Sequence, residues 1–332
     1  MKTQKTLFPI TLSKIARSLL AIAAAFWLGG AGTVVGQVAT NGTVRLDSNC
    51  SAIGYQTTAS GPYSTAMGKY SVASGDGSTA MGMSGTASGL RSTVMGYQCV
   101  ASAGFATALG AVTIASGTYS IAGGYISTAT GKAAVALGYD ADAPAQSAVA
   151  LGQSTIASGT YSFAAGYSST ARALGAVAMG YDTDASARSS IALGQSTIAS
   201  GTYSAAIGLS GTASGYNSIA TGYKTTASGS YSTATGAYTT AFGQYSAAMG
   251  FRTDAEGTSQ FVIGQFNSPI TSGTYGYISP TDALFIIGNG TSTSAKSNAL
   301  VVDASGNMDV AGRVRIMPRG DLSMGPFTSE PQ

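Results

Sequence analysis

Histidine is absent from all 332 residues, which removes the commonest general base, pH switch and metal ligand together. Charge is scarce as well, at 9% of the chain, and its slight positive excess is local. Lys2, Lys5, Lys14 and Arg17 lie in the first 36 residues, where no acid occurs; the 16 basic residues less these four leave 12 against 13 acidic. A chain so balanced offers no electrostatic footing for nucleic acid or an acidic membrane. There is one tryptophan, Trp27, and it falls in an N-terminal apolar run; the two cysteines are Cys50 and Cys99. No catalytic, cofactor-binding or metal-ligating constellation stands out. Between residues 50 and 264 the charged side chains are spread along the chain, without the clustered acids and bases of a polysaccharide-cleaving site. Neither an enzyme nor a cofactor is expected.

Low charge with 8 prolines and 44% hydrophobic residues is not the composition of a disordered chain. Much of that apolar content is alanine, so a core must be narrow. The N-terminus reads as a targeting segment over 1–36: basic residues to Arg17, the apolar run SLLAIAAAFWL over 18–28, then small residues. The run is too short to span a bilayer core of about 30 Å, so export rather than anchoring is expected. Residues 37–49 form a lead-in.

What the chain has in abundance is a repeat. Glycine recurs every 14 residues at Gly54, Gly68, Gly82, Gly96, Gly110, Gly124, Gly138, Gly152, Gly166, Gly180, Gly194, Gly208, Gly222, Gly236, Gly250 and Gly264. Alanine stands five residues after each, from Ala59 to Ala255, and a second glycine seven after, replaced by Ala103, Ala145, Ala173 and Ala187. A longer echo of three repeats is written in LGAVTIASGTYS at 109 and LGQSTIASGTYS at 151 and 193. Such a chain grows by whole units that touch their neighbours. The period is too short for helical repeats, and segments such as Ser64-Thr65-Ala66-Met67-Gly68 alternate as strands do. Each period is expected to form one coil of two short strands, with glycine at both corners supplying the positive φ of a sharp reversal. Coils should stack at roughly 4.8 Å, the strand spacing.

Two residues before each of these glycines (the marker glycines) stands Ala or Val, which with the constant alanine should fill the coil. One and three residues before it the side chains are larger, as in Val135 and Leu137, Val149 and Leu151, Ile191 and Leu193, Phe261 and Ile263. They point to the outer face, and a continuous apolar stripe of this kind demands a partner. These eight are the candidate subunit interface.

STAMG at 64 and 78, AVALG at 134 and 148 and SIALG at 190 resemble the SxAxG strands of YadA-like head repeats in trimeric autotransporter adhesins, over about residues 50–264. The resemblance implies a left-handed parallel β-roll, a homotrimer, and attachment at the cell surface or outside it to a host, glycan or matrix surface; it brings no catalytic residues. A monomeric solenoid that binds glycan, ice or another repetitive surface is the competing reading. Residues 265–317 are expected to be a β-rich segment, similar to junctions downstream of such heads in tail fibres and bacterial surface fibres, with Asp303–Asn307 as a hairpin turn. After Gly264 no sustained heptad and no set of long alternating strands is written. Residues 318–332, with Pro318, Pro326 and Pro331, read as a flexible tail.

Other features have bland readings beside sharper ones. Cys50 and Cys99 sit at different places in coils about 3.5 repeats apart, roughly 15 Å at the strand spacing, beyond disulfide reach. Arg319-Gly320-Asp321 spells a receptor tripeptide within a loose tail. Asp140 with Asp142, Asp182 with Asp184, and Asp254 with Glu256 offer oxygens to Ca²⁺, or simply keep corners solvated. Tyr55, Tyr97, Tyr125, Tyr139, Tyr167, Tyr181 and Tyr223 follow the marker glycine, while Tyr63, Tyr119, Tyr161, Tyr203 and Tyr231 stand five before the next. Both sets suit cross-strand pairing, or ligand stacking. Thr57, Thr58, Thr86, Thr113, Thr155, Thr170, Thr197, Thr225, Thr226, Thr239 and Thr240 are expected to share one corner, as an interrupted array of the kind that orders water.

Overall fold

A computed structural model describes residues 49–270 and 278–312. The targeting segment, residues 37–48 of the lead-in, the Arg319–Asp321 tripeptide and the tail lie outside them. The described residues form an all-β parallel solenoid of about 15 coils of 14 residues, with no helix among them. The chain divides between Val112 and Thr113 into two compact units.

The first unit stacks five-residue strands, beginning with Ser51–Tyr55 and Thr65–Lys69 and ending with Thr107–Ala111. Two-residue strands such as Thr58–Ala59 and Val72–Ala73 form the opposite wall. Register never slips: Ala66 faces Ala80 and Gly68 faces Gly82. The second unit repeats this plan from Ile114–Ala115 to Phe261–Gln265. Val135 faces Val149 and Leu137 faces Leu151, again 14 apart.

Four positions per coil point inward. Ala66 and Ala73 are fully buried, as expected, and so are Ser64 and Ser71, which had no expected role. The same four places recur as Ala150, Ala157, Ser162 and Thr155 in the second unit. Each buried methyl contributes only about 0.8 kcal/mol, so the interior is a thin source of stability. Coil-to-coil backbone hydrogen bonds, at about 1 kcal/mol net each, contribute at least as much. Serine three residues after the marker glycine donates across coils, as Ser127 Oγ does to the Gly138 carbonyl at 2.9 Å. Threonine there does not: the buried hydroxyls of Thr113, Thr155 and Thr197 have no hydrogen-bond partner.

The corners differ from expectation. The marker glycine is not at a corner; it is the fourth residue of the long strand, as Gly138 is in Val135–Tyr139. Its φ is +144°, and a Cβ there would be driven into the carbonyl oxygen of Gly152 in the next coil. Close approach of backbones, not reversal, selects glycine. The corners are turned by non-glycine residues at positive φ, such as Tyr70, Asp140 and Arg252 on one side and Tyr63, Tyr161 and Tyr231 on the other. Left-handed backbone costs roughly 1–2 kcal/mol for a residue with a Cβ. The stack offsets it, because each corner amide still bonds the coil before it: Asp140 N–H donates to the Tyr125 carbonyl at 2.9 Å.

The regular coils end at a side-chain plug. Asn267 Oδ1 accepts from Asp254 N–H at 2.8 Å and its Nδ2 donates to the Asp254 carbonyl at 2.9 Å. Its amide thereby supplies the bonds that another short strand would make. Gln260 is likewise buried and donates to the Ala283 carbonyl at 3.1 Å. The long-strand sheet then continues into the next segment. Ala283–Asn289 pairs in parallel with Phe261–Gln265, Phe261 facing Phe285 across 24 residues instead of 14. Asn298–Asp303 and Met308–Val310 follow antiparallel. Asp303 lies at the expected hairpin turn, where its carboxylate accepts from the amides of Ser305 and Asn307 and from the Asn307 side chain. Those bonds, the Asn307 side chain foremost, hold its carboxyl below its ordinary value.

Candidate interaction surface

The long strands place their first, third and fifth residues on one outer face. Leu137, Ile191 and Phe261 are 39%, 38% and 39% exposed in the single chain. Val135, Val149, Leu151, Leu193 and Ile263 lie on the same face, half-buried by their neighbours along the stack. In register, this gives aliphatic rows that climb the second unit coil by coil. At its end Phe261 stacks on Phe285 with ring centres 5.7 Å apart.

The fifth strand residue adds an aromatic row to this face. Tyr125 stacks on Tyr139 at 5.3 Å, and Tyr167 on Tyr181 at 4.9 Å. A second row runs along the other corner, where Tyr216, Tyr231 and Tyr245 lie in contact at 5.4 and 5.2 Å. The tyrosines are therefore paired along the stack and still present open edges to solvent, with Tyr161 61% exposed.

The threonine array separates by face. Thr57, Thr113, Thr155, Thr197, Thr225 and Thr239 are buried inside the coil, whereas Thr58, Thr86, Thr170, Thr226 and Thr240 point outward and are half-buried. Strand alternation puts adjacent threonines on opposite sides. The outward row also contains Asp142, Ile156, Asp184 and Ile198. No plane of hydroxyls forms.

Of the acidic pairs, Asp184 bonds Arg172 at 2.7 Å and Asp254 bonds Lys296 at 2.9 Å. Asp142 is held above its ordinary value, first by burial and then by the Asp140 carboxylate. Among the described residues no three metal-ligating side chains gather. Both cysteines are buried thiols: Cys50 donates to the Ala59 carbonyl at 3.3 Å, and Cys99 to the Gly110 carbonyl at 3.2 Å. Cys99 occupies a position where other coils hold serine or threonine, which makes it an interior filler.

The sequence matches the YadA head domain repeat in successive overlapping segments from residue 51 to residue 239, covering more than half of the chain. The chain belongs to the YadA head repeat family. No curated protein matches it. The coils run beyond the matched segments: Thr240–Ala241, Ala247–Phe251, Asp254–Ala255 and Phe261–Gln265 keep the period and the inward alanines of the YadA head repeat. Among the described residues, no helix is long and apolar enough to cross a membrane.

One cluster has no counterpart in the repeat pattern. Lys224, Tyr238 and Arg252 occupy the same corner position in successive coils, and Lys296 reaches them from the segment after the coils. Arg252 lies 4.4 Å from the Tyr238 ring centre, and Lys224 lies 5.3 and 5.5 Å from those of Tyr223 and Tyr238. Hydrogen bonding from Tyr238 and then Lys224 lowers the Tyr223 hydroxyl. Sequence reasoning missed this group, because Lys296 lies outside the period.

Proposed function

We propose that this chain is the head of an exported, surface-exposed adhesin, and that three copies pack their long-strand faces around a common axis. The observation that carries the reading is the in-register aliphatic face: Val135, Leu137, Val149, Leu151, Ile191, Leu193, Phe261 and Ile263 stand half-buried or exposed in one chain. Continuous apolar rows of this extent mark interaction surfaces, and heads of this family are trimers. Residues 1–36 direct export, and residues 265–317 form the junction beyond the coils. The protein acts by attachment, presenting paired aromatic rows and corner residues to a partner surface, and performs no catalysis.

Mass photometry of the exported chain tests the assembly. Three copies per particle are expected, and Leu137→Asp with Leu151→Asp should release single chains, since burying each leucine contributes about 1.5–3 kcal/mol. A folded, soluble single chain in the unsubstituted protein would overturn the reading.

A further inference from the structure

At the last regular coils of the second unit, a cleft of about 270 Å³ opens between the corner row and the segment that follows. It is lined by Lys224, Tyr238, Arg252, Lys296 and the hydroxyls of Thr240 and Thr293, with Asp254 at its edge. Three cations face one carboxylate. That carboxylate is already engaged, with Lys296 Nζ on Asp254 Oδ2 at 2.9 Å. Lys224 and Arg252 take part in no ion pair among the described residues; they rest on ring faces instead. A guanidinium stacked on an aromatic face keeps its edge N–H donors directed outward, in the planar fork that matches a carboxylate or sulfate.

The rest of the chain makes this placement unusual. Only seven basic residues occur between 50 and 264, yet two of them lie two coils apart in one corner row, where a third from outside the repeat meets them. The aromatic between them, Tyr238, turns its corner at φ +55°, so its ring is fixed by the stack and is not free to fold away. Ring faces, hydroxyls and uncompensated cations in one recess are the complement of a sugar ring bearing an anionic group. The volume lies below the roughly 300–1,000 Å³ of drug-sized sites and suits one such residue of a longer glycan.

We propose that the cleft lined by Lys224, Tyr238, Arg252 and Lys296 binds an acidic saccharide, its carboxylate or sulfate held by Arg252 and Lys224 and its ring laid against Tyr238. The proposal deepens the adhesive reading by naming the chemistry of the target, and it rests on that reading for its setting; the recess itself is built within one chain.

The test is calorimetric titration of the exported full-length chain with a uronate oligosaccharide, a sulfated disaccharide and, as the neutral control, lactose. At least one acidic sugar should bind about ten-fold or more tightly than lactose, the discrimination a charge-assisted bond supplies. That preference should fade between ~50 mM and ~500 mM salt as the cations are screened. Which acidic sugar binds tells carboxylate from sulfate. Arg252→Gln and, independently, Lys296→Gln should each weaken binding, Arg252→Gln by about ten-fold, while Arg172→Gln, whose cation pairs with Asp184 elsewhere, should not. Equal binding of lactose, no acidic sugar bound, or full affinity in both variants overturns the proposal. Mass photometry of the same samples keeps the two readings apart: single chains that still bind refute the trimer and keep the cleft, and trimers that bind no acidic sugar do the reverse.

Discussion

Replacing Gly180 by alanine should damage the roll far more than replacing Gly159, although both glycines recur at the same period. Gly180 sits within the strand Val177–Tyr181 at φ +134°, and its new methyl would meet the carbonyl oxygen of Gly194. Two costs combine. A backbone region that only glycine enters readily costs on the order of 1–3 kcal/mol, and forcing a methyl into packed backbone costs roughly another 1–3 kcal/mol. The expected loss is therefore about 2–6 kcal/mol, and the ladder bonds beside Gly194 weaken with it. Gly159 has an ordinary φ, and its methyl would meet the Ala173 carbonyl. Yet Ala103, Ala145, Ala173 and Ala187 already occupy this place in other coils, Ala173 and Ala187 in consecutive ones, so the corner yields by a small shift. A cost near 1 kcal/mol or less is expected there. Because repeats open locally rather than all at once, amide exchange resolved by peptide is the suitable assay. Protection should fall across residues 163–195 in Gly180→Ala and stay near the parent level around Gly159→Ala. Equal loss in the two variants, or none in the first, would refute the claim that coil-to-coil contact dictates the marker glycine.

Three further outcomes follow from the interior and the corners. Thr155→Val removes a buried hydroxyl that lacks a partner and keeps the shape, so it should stabilise by roughly 1 kcal/mol; Ser169→Ala should destabilise by a similar amount, since its hydroxyl bonds the Gly180 carbonyl at 3.0 Å and accepts from Thr183. Thermal melting of both checks the pair, and destabilisation by Thr155→Val would count against the orphaned hydroxyl. Asp142 holds its proton more tightly folded than unfolded, so its contribution to stability is full below its ordinary value of 3.8 and is lost as pH rises through the raised folded value. Asp142→Asn should remove that decline, flattening melting temperature against pH on the acid side of neutrality; an unchanged pH profile would refute it. Asp303→Ala should speed amide exchange at Ser305 and Asn307, whose N–H groups its carboxylate holds, while leaving the coils protected.

The period, the strand alternation and the inward alanines were all legible, because each inward place admits only a small side chain and the choice repeats without slip. The corners were not. Glycine periodicity suggested reversal, whereas Gly138 and its equivalents answer to a neighbouring backbone that no single repeat displays. Turning falls instead to Tyr70, Asp140 or Arg252, residue types that carry no turn signal and whose positive φ is offset only within a stack. The threonines misled for a related reason. Thr57 and Thr58 are adjacent in sequence but lie on opposite sides of a wall one residue thick. At the cleft, Lys224 and Arg252 were readable as equal positions two periods apart; Lys296 was not, since its approach depends on the non-repeating segment after Asn267.

Strict register has a consequence for how such a protein changes over generations. The blocks beginning LGQSTIASGTYS at 151 and 193 are interchangeable at every contact. Excision of 151–192 would join Ala150 to Leu193 with each inward alanine, each marker glycine and each corner residue still meeting its proper kind. Three coils, or about 14 Å at the strand spacing, would vanish without a seam, while loss of a single residue would turn every following side chain to the wrong face. Reach is thus a heritable quantity that mutation can adjust in whole steps, leaving the plug at Asn267 and the cleft beside it untouched.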